Sequence, residues 1–505
     1  MPFPICLTGE SGCDKIIQSD SPGKNFPDGK RKNRSEEKAE MAEKSRSQEL
    51  YDSLSYEKKN YFEKADAEER AAIFAYAEGY KAFLNEAKTE REACDAAVKL
   101  CEERGFTEHR FGMPLKAGDR KYFVNRGKSV TAFRVGTKDP ETAGFKIIVS
   151  HIDSPRVDLK QVPLYEDSGM AFLKTHYYGG IKKYQWTTIP LSLHGVVVKK
   201  DGTKVTVRVG DAPSDPVFYI NDLLPHLGGE QMSKSAGKVI EGEQLNLVAG
   251  GLPYEGADVP KKIKLSVLNA LEEKYGVTEE DFLSAELCAV PAFPARDVGF
   301  DRALIGGYGH DDRVCAYPAL TAVLDGESED TVFAMLVDKE EIGSEGTTGV
   351  QCKVYEDLLE DVCDALGVSF RKVRSASKCL SSDVTAAYDP NFSGVFEPMN
   401  AAFLSCGTCL CKFTGRAGKS SSNDANAEFL GELRAMFDRD GVVWQTAELG
   451  KVDGGGGGTV AMYLAKLNID TVDLGVPVIS MHAPYELISK ADLYSSYKAF
   501  LSFMR

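Results

Sequence analysis

The chain has 505 residues, of which 43% are hydrophobic and 27% are charged, a composition typical of ordinary globular proteins. This length exceeds what one hydrophobic core usually supports, so we expect two compact regions and a tail. The net charge of −15 argues against nucleic acid and against anionic membranes as partners.

Targeting and redox features point to the cytoplasm. Residues 1–6 lack a charged region followed by an apolar stretch, and no apolar run approaches the roughly 20 residues that span a bilayer. The 12 cysteines follow no regular spacing, which favours free thiols in a reducing compartment. The densest group, Cys406, Cys409 and Cys411, lacks a second ligand pair for a closed zinc site, so we interpret these residues as buried and apolar-like.

In chain order, the first region is a predicted tail. Residues 1–48 are rich in Ser, Lys, Glu, Gly and Pro and poor in large apolar side chains, so we expect them to be disordered. From Leu50 to Arg104, apolar residues recur at three- and four-residue spacing between charged positions, which predicts helix.

Three apolar runs lead into residues that commonly bind metals. Short β-branched runs of this kind fill the buried central strands of a sheet, and ligands collect beyond the carboxyl ends of strands in α/β sheets. The runs are residues 145–150 before His151, residues 331–337 before Asp338, Glu340 and Glu341, and residues 476–480 before His482. We therefore expect the three strand ends to share one site.

A stretch of different character, residues 156–296, lies between these runs. Residues 196–200 and 203–209 flank Asp201-Gly202, a strong signal for a β-hairpin. Ligand-bearing segments occur on both sides of this stretch. We therefore predict an inserted β-rich domain, with residues 49–155 and 297–505 as the two parts of a catalytic domain.

Five segments together carry the ligands that a two-metal hydrolytic site needs. Such a site requires a bridging carboxylate, a terminal ligand on each side and a base for the attacking water. The segments are residues 150–155, 309–313, 338–343, 381–383 and 481–486. A bridging carboxylate needs two accessible oxygens, which either Asp311 or Asp312 offers.

Each of these residues also has a simpler explanation when it is taken alone. A single carboxylate among 76 is most often a solvated surface charge, and a lone histidine is more often structural than a ligand. Ser381-Ser382-Asp383 also fits a helix N-cap. The combination favours the metal site, because all the simpler explanations would have to coincide.

The segments and their order resemble the aspartyl aminopeptidase and vacuolar aminopeptidase I family of dinuclear zinc exopeptidases. The strings Tyr177–Gly180, Asp338–Gly343 and Met481–Glu486 carry much of this similarity, which extends from about Leu50 to the C-terminus. The resemblance implies an α/β fold: a zinc-exopeptidase-like catalytic domain, with a mixed sheet flanked by helices, and an inserted β-rich dimerisation domain.

The resemblance also refines the metal site. It favours Asp311 as the bridge, with Asp312 in a supporting position. It places His151 and Asp383 on one ion, and Glu341 and His482 on the other. Two divalent ions are implied, zinc first, although such ligands also accept cobalt or manganese.

Two carboxylates near the metals have roles other than ligation. Glu340 is expected to be the general base that takes a proton from a metal-bridging water and passes it to the leaving amine. Asp153 resembles the carboxylate that orients His151 and raises its basicity.

Glycine-bearing segments raise the question of substrate. Residues 418–420 end like a phosphate-binding loop, but Phe413 stands where that motif needs glycine. The glycine run 453–460 is either a linker or, as in the family, a pocket loop in which Gly458 and Thr459 approach the peptide.

The sequence leaves open which N-terminal side chain of a peptide substrate is preferred. Lys419 and Arg416 could pair with an acidic N-terminal side chain, or they could be solvated. Ala386-Ala387 and Lys182-Lys183 depart from the pattern of acid-selective members of the family. These departures put the aspartyl specificity in doubt, but not the dinuclear chemistry.

Oligomeric partners follow from the resemblance alone. The family assembles tetrahedral dodecamers from dimers, and a histidine in a motif like Leu224–Leu227 enters a neighbouring subunit's active site. His226 is therefore a candidate for stabilising the oxyanion there; the alternative is a buried structural histidine. The function that we predict is an aminopeptidase acting on short peptides, and the alternative is a binding or assembly protein on the same scaffold.

Overall fold

The structure, a computed structural model, describes residues 45–505. Most of the predicted tail, residues 1–48, lies outside the described residues, and residues 45–54 are helical. Residues 58–505 form one compact unit. Its α-helices are α1 (Tyr61–Lys64), α2 (Ala67–Glu86), α3 (Glu90–Glu103), α4 (Pro140–Ala143), α5 (Gly229–Met232), α6 (Lys262–Tyr275), α7 (His310–Asp325), α8 (Val354–Leu366), α9 (Phe370–Ala376), α10 (Ala427–Arg439), α11 (Ala461–Lys466) and α12 (Lys490–Met504).

The strands of this unit form three sheets. In chain order they are β1 (Thr107–Glu108), β2 (Arg120–Asn125), β3 (Ser129–Arg134), β4 (Phe145–His151), β5 (Arg156–Asp167), β6 (Met170–Tyr178), β7 (Leu191–Val198), β8 (Lys204–Val209), β9 (Tyr219–Ile220), β10 (Leu247–Gly250), β11 (Ala285–Pro291), β12 (Arg296–Val298), β13 (Leu304–Gly307), β14 (Thr331–Val337), β15 (Lys378–Ser381), β16 (Thr385–Ala386), β17 (Thr408–Cys411), β18 (Trp444–Thr446), β19 (Asp470–Gly475), β20 (Pro477–Ile479) and β21 (Glu486–Ser489).

The largest sheet has nine strands in the order β1-β2-β3-β14-β4-β15-β19-β17-β18. Its centre, β14-β4-β15-β19, is parallel throughout. Every residue of β14 is buried, and its side chains alternate between two hydrophobic cores, Val332 and Leu336 on one face and Phe333 and Met335 on the other. Parallel strands covered by helices on both faces read as continuous apolar runs. The runs at residues 145–150 and 331–337 are confirmed as β4 and β14.

The predicted helical region before Arg104 is also confirmed, as several separate helices. In α3, Thr89 accepts a hydrogen bond from the amide of Glu92 while the Glu92 carboxylate accepts one from the Thr89 amide. This reciprocal capping satisfies two amides that the first turn leaves free. The buried face of α3, which includes Ala93, Ala97 and Cys101, belongs to the larger core on the nine-stranded sheet.

The second sheet has seven strands, all from the stretch between Arg156 and Pro291, in the order β8-β7-β11-β5-β6-β10-β9. Its pairings are antiparallel. The predicted hairpin is confirmed: β7 and β8 pair with Val198 opposite Lys204, and Gly202 in the turn has a φ of 85°. Hydrophobic residues of these strands form separate clusters around Leu191 and around Val207.

The third sheet corrects one sequence-based interpretation. The run at residues 476–480 is not a central strand of the large sheet; its β20 belongs to a five-stranded sheet, β12-β13-β21-β20-β16. The central position next to β15 is taken by β19, which ends at Gly475. A strand change between Gly475 and Pro477 therefore carries His482 to the site by a different path from His151.

The described residues can be compared with the expectations for the cysteines and for membrane-spanning helices. Cys406, Cys409 and Cys411 are buried free thiols, as expected. Within residues 45–505, we find no helix that combines the length and the apolar character needed to cross a membrane.

Candidate metal centre

Three neighbouring parallel strands deliver four of the predicted residues to one edge of the nine-stranded sheet. His151 is the last residue of β4, Glu340 and Glu341 lie in a 3₁₀ turn after β14, and Asp383 follows β15. Because β14, β4 and β15 are adjacent and parallel, their carboxyl ends meet. The side chains converge for this reason, although up to 232 positions separate them along the chain.

The other two predicted ligands come from the five-stranded sheet. Asp311 lies at the start of α7, just after β13, and His482 follows β20. A cavity of about 340 Å³ opens over this meeting point. Its lining includes Asp311, Glu340, Glu341, Asp383 and His482. His151 is buried behind them.

Asp311 lies between the two histidines. Its Oδ1 is 3.2 Å from Nε2 of His151, and its Oδ2 is 3.1 Å from Nε2 of His482. On the His151 side, Asp383 Oδ1 is 3.6 Å from the same Nε2. On the His482 side, Glu341 Oε1 is 3.4 Å from the other Nε2. Each oxygen of one carboxylate therefore faces a different pair of side chains.

Asp312 has a different environment from Asp311. Its Oδ2 accepts a hydrogen bond from the His151 amide at 3.2 Å, and its Oδ1 is buried with no hydrogen-bond partner among the described residues. A ligand atom of Asp312 also lies within 4.8 Å of ligand atoms of His151 and Asp383. Asp312 thus supports the backbone of one histidine while facing the cluster.

Both histidines are oriented as metal-binding imidazoles usually are. Nδ1 of His151 is 3.0 Å from the backbone oxygen of Asp153, and Nδ1 of His482 is 2.9 Å from that of Gly180. A ring that donates from Nδ1 to a carbonyl presents the lone pair of Nε2. In both residues, Nε2 is the nitrogen that faces the carboxylates.

The charge distribution fits divalent cations. Burial, followed by the negative charge of neighbouring carboxylates, raises the pKa of Glu341 and of Asp312 well above the usual range. Glu341 Oε1 is buried and has no hydrogen-bond donor among residues 45–505. Uncompensated buried carboxylates are costly, and a cation relieves both desolvation and mutual repulsion. His and carboxylate ligands together suit zinc.

Glu340 differs from its neighbour Glu341 in exposure. Its side chain is 19% exposed against 4% for Glu341, and it reaches the cavity. Its Oε2 is 4.0 Å from Nε2 of His151. Burial, and then the charge of Asp383, raises the pKa of Glu340 to about 8. Cations bound beside it would stabilise the carboxylate and lower this pKa.

Asp153 is the centre of a hydrogen-bond network under the site. It is fully buried, and its two oxygens accept the amides of Glu340 at 3.1 Å and Glu341 at 3.2 Å. The hydroxyl of Tyr178 donates to the same carboxylate. Burial opposes ionisation, but the hydrogen bonds from His151 and Tyr178 lower the pKa of Asp153. An ionised Asp153 orients the peptide that carries both glutamates.

Glu486 has a role that the sequence did not reveal. This buried residue accepts the amide of Asp311 at 3.1 Å with one oxygen and the amide of His482 at 2.7 Å with the other. Burial, and then the charge of Asp311, raises its pKa to about 8. Its position four residues after His482 was the one available signal. A single carboxylate thus ties the backbone of Asp311 to that of His482.

The glycine run forms part of the cavity wall. Gly458 and Thr459 both line the cavity, and the Thr459 hydroxyl donates to Asp473 at 2.6 Å. Gly456 has a φ of 107°, and a Cβ there would collide with the carbonyl of Gly415. Two loops meet here at a distance that only glycine permits.

Lys419 lies outside the set of residues that line the cavity. Its ammonium group is 3.0 Å from Asp424 and 4.1 Å from the ring centroid of Phe413, which does line it. Lys451, by contrast, is a cavity residue.

His226 is exposed, in a 3₁₀ turn of residues Pro225–Leu227, and it does not line the cavity of its own chain. The alternative of a buried structural histidine is therefore wrong.

Convergent histidines and carboxylates beyond the carboxyl ends of a parallel sheet define the chain as a metal-dependent hydrolase of the α/β class. Residues 83–504 match the family described as aminopeptidase I zinc metalloprotease (M18). The chain belongs to this family and is an aminopeptidase. The family resemblance and the fold class predicted from the sequence are thereby confirmed.

Three relatives place the chain within this family. "Probable M18 family aminopeptidase 1" of Clostridium acetobutylicum is 49% identical over 458 residues, covering 88% of this chain and 98% of the relative. The crystal structure of an M18 aminopeptidase from Thermotoga maritima has a TM-score of 0.85 at 44% identity, covering 89% of this chain and all of the other. The mApe1 dodecamer of S. cerevisiae shares the fold at 21% identity, with a TM-score of 0.69 and coverage of 85% and 96%.

Proposed function

We propose that the chain is a dinuclear zinc aminopeptidase in which Asp311 bridges the two ions. The observation that carries this proposal is the placement of Asp311 Oδ1 and Oδ2 beside Nε2 of His151 and of His482, at 3.2 and 3.1 Å. Asp383 would complete one site and Glu341 the other, which leaves each ion three protein ligands. Zinc ions, when bound, lower the pKa of water and polarise the scissile carbonyl.

Glu340 is the general base in this proposal. Its side chain is 19% exposed, against 14% for Asp383 and 4% for Glu341, and Asp153 accepts its backbone amide. From this position, Glu340 takes a proton from the attacking water and returns it to the leaving amine. Burial raises the pKa of Glu340, and bound cations would lower it again, so that Glu340 would be ionised and able to accept the proton near neutral pH.

The cavity fits the N-terminal end of a short peptide. Excess carboxylates near the ions attract the free α-ammonium group, which an internal peptide position lacks. Gly458 and Thr459 would line the bound residue, with Lys419 at most an indirect contributor through Phe413. Apolar wall residues favour a neutral N-terminal side chain; they include Val384, Phe413, Leu449, Val452 and Met481.

Residues 156–296 are proposed to form the inserted oligomerisation domain, between catalytic parts at 49–155 and 297–505. Large apolar side chains are exposed around His226, namely Leu223, Leu224, Leu227 and Met232. Apolar clusters of this kind mark interaction surfaces. The dodecamer of the yeast relative supports a homo-oligomer. In this proposal the oligomer is built from dimers, and His226 would reach a neighbour's cavity and stabilise the oxyanion.

Hydrolysis of amino-acid p-nitroanilides by the purified protein, before and after chelation and zinc readdition, tests the enzyme. We expect release of p-nitroaniline that a chelator abolishes and zinc restores, together with two zinc ions per chain by elemental analysis. A single ion per chain would contradict the dinuclear site. Failure of the zinc-loaded protein to turn over any neutral or acidic substrate would favour the alternative, a binding or assembly protein on this scaffold.

A further inference from the structure

We propose that Tyr178, the last residue of β6, and the two glycines that follow it position both halves of the metal centre. β6 belongs to the seven-stranded sheet, which supplies none of the proposed ligands. The inference rests on the proposed ligand set. Tyr178 is a positioning residue in it, because its hydroxyl bonds Asp153 and its side chain does not line the cavity.

Tyr178 acts on one half of the site through Asp153. Its hydroxyl donates to Oδ2 of Asp153 at 2.8 Å, and that same oxygen accepts the amide of Glu341 at 3.2 Å. The other carboxylate oxygen accepts the amide of Glu340, and the backbone oxygen of Asp153 accepts from His151. One tyrosine hydroxyl therefore fixes the carboxylate plane on which the base and two ligands depend.

Gly180 acts on the other half directly. Its backbone oxygen accepts the hydrogen bond from Nδ1 of His482 at 2.9 Å, which orients Nε2 toward Asp311. Gly179, between them, has a φ of 74°, and a Cβ there would lie 3.2 Å from Oε2 of Glu341. The two glycines allow the backbone to pass close to the ligands, while Tyr178 contacts Asp153 and Gly180 contacts His482.

The sheet holds Tyr178 in place. In the β5–β6 pairing, Arg156 lies opposite Tyr178, and its guanidinium carbon is 4.1 Å from the ring centroid. Arg156 is itself held by Asp158 at 2.8 Å and Glu90 at 3.0 Å. The ring thus packs against a buried cation, so the hydroxyl has little freedom to follow a displaced Asp153.

Tyr178→Phe tests the proposal, because it removes the hydroxyl and leaves the ring over Arg156. Loss of such an outer contact typically costs about 10- to 100-fold in metal affinity or activity. We expect zinc affinity, measured by competition with a chromogenic chelator, to fall at least about 10-fold, and kcat to fall similarly. KM should change by less than about twofold, since Tyr178 does not line the cavity.

The matched control is Tyr177→Phe. Tyr177 is 40% exposed, and its hydroxyl has no hydrogen-bond partner among the described residues. The Tyr177→Phe variant should retain wild-type zinc affinity and kcat. Equal behaviour of the two variants would overturn the positioning role of Tyr178. Gly179→Ala provides a second measurement: crowding against Glu341 should also weaken zinc binding, and unchanged affinity would overturn the close-approach argument.

His151→Ala separates this inference from the proposed ligand set. If that variant keeps both zinc ions, the ligand set itself is wrong. If it loses zinc while Tyr178→Phe binds zinc as the wild type does, the ligand set stands and the positioning role fails.

Discussion

The nine-stranded and seven-stranded sheets have different roles at the proposed metal site. The centre of the first is parallel and buried on both faces, and three of its adjacent strands end at proposed metal ligands or the base. The second is antiparallel and contributes hydrogen-bonding groups instead of ligands: the Tyr178 hydroxyl donates to Asp153, and just after β6 the backbone oxygen of Gly180 accepts from His482. It also carries the exposed apolar turn around Leu227.

This difference follows from strand direction. Parallel neighbours bring their carboxyl ends to one edge, so residues far apart in the chain meet there. Antiparallel neighbours place their carboxyl ends at opposite edges of the sheet, so only single strand ends, such as the end of β6, reach the metal site. The nine-stranded sheet, whose strand ends carry proposed ligands and the base, therefore depends on a few contacts from the seven-stranded sheet to orient these side chains.

The largest effect that we expect comes from Glu340→Gln, at the edge of the nine-stranded sheet. General-base catalysis contributes about 10²- to 10⁴-fold, so kcat/KM should fall by that factor while both zinc ions remain. Kinetics with a leucine p-nitroanilide and zinc analysis of the same sample would measure this. Glu345→Gln, an exposed position in the same loop, is the control. Unchanged activity in Glu340→Gln would remove Glu340 as the base.

Removal of zinc should affect the two sheets unequally. Buried carboxylates repel one another without cations, and ligand binding at 1,000 times Kd stabilises a protein by about 4 kcal/mol. After chelation, we expect amide hydrogen exchange to increase most at residues 151–153, 338–343 and 381–385. Residues 191–209 of the seven-stranded sheet should change little. Uniform loss of protection would show that the sheets do not differ in their dependence on metal.

Leu227→Asp tests the surface role of the seven-stranded sheet. Leu227 is 69% exposed, and a charge at a buried interface position typically costs about 2 kcal/mol or more. Sedimentation velocity should show smaller assemblies than in the wild type, with catalysis reduced if His226 completes a neighbour's site. Leu283→Asp, at an exposed leucine elsewhere in the same region, is the control. Assembly that survives Leu227→Asp but not Leu283→Asp would place the interface elsewhere.

The smallest effect concerns substrate preference. Among the described residues that line the cavity, Lys451 is the one lysine or arginine. Partly exposed ion pairs are worth about 0.2–1 kcal/mol, so Lys451→Met should lower kcat/KM for an aspartyl arylamide, relative to a leucyl one, by at most about 5-fold. The ammonium group of Lys419 pairs with Asp424, so Lys419→Met should leave this ratio unchanged. The reverse result would restore Lys419 as the specificity residue.

Sequence patterns predicted the elements around the site well where the local signal was strong. The β-branched runs of β4 and β14 have both faces buried, so they could be read without knowing their neighbours. The hairpin at Gly202 was read from turn chemistry. The run at residues 476–480 misled because a short apolar stretch does not indicate which sheet it joins. The positions of Tyr178 and Glu486 were visible in motifs, but their partners lie 25 and 175 residues away.

By itself, the sequence determined the family, the α/β class and the hairpin-rich stretch, and it predicted the composition of the metal site, because these depend on residue type and local periodicity. Tertiary structure alone decided which oxygen of Asp311 faces which histidine, which nitrogen of each ring is presented, and that Lys419 turns to Asp424 and away from the cavity. It also placed β20 outside the large sheet, and it brought Tyr178 to Asp153 and Gly180 to His482. These features depend on distances between segments that packing brings together, and no local pattern along the chain encodes them.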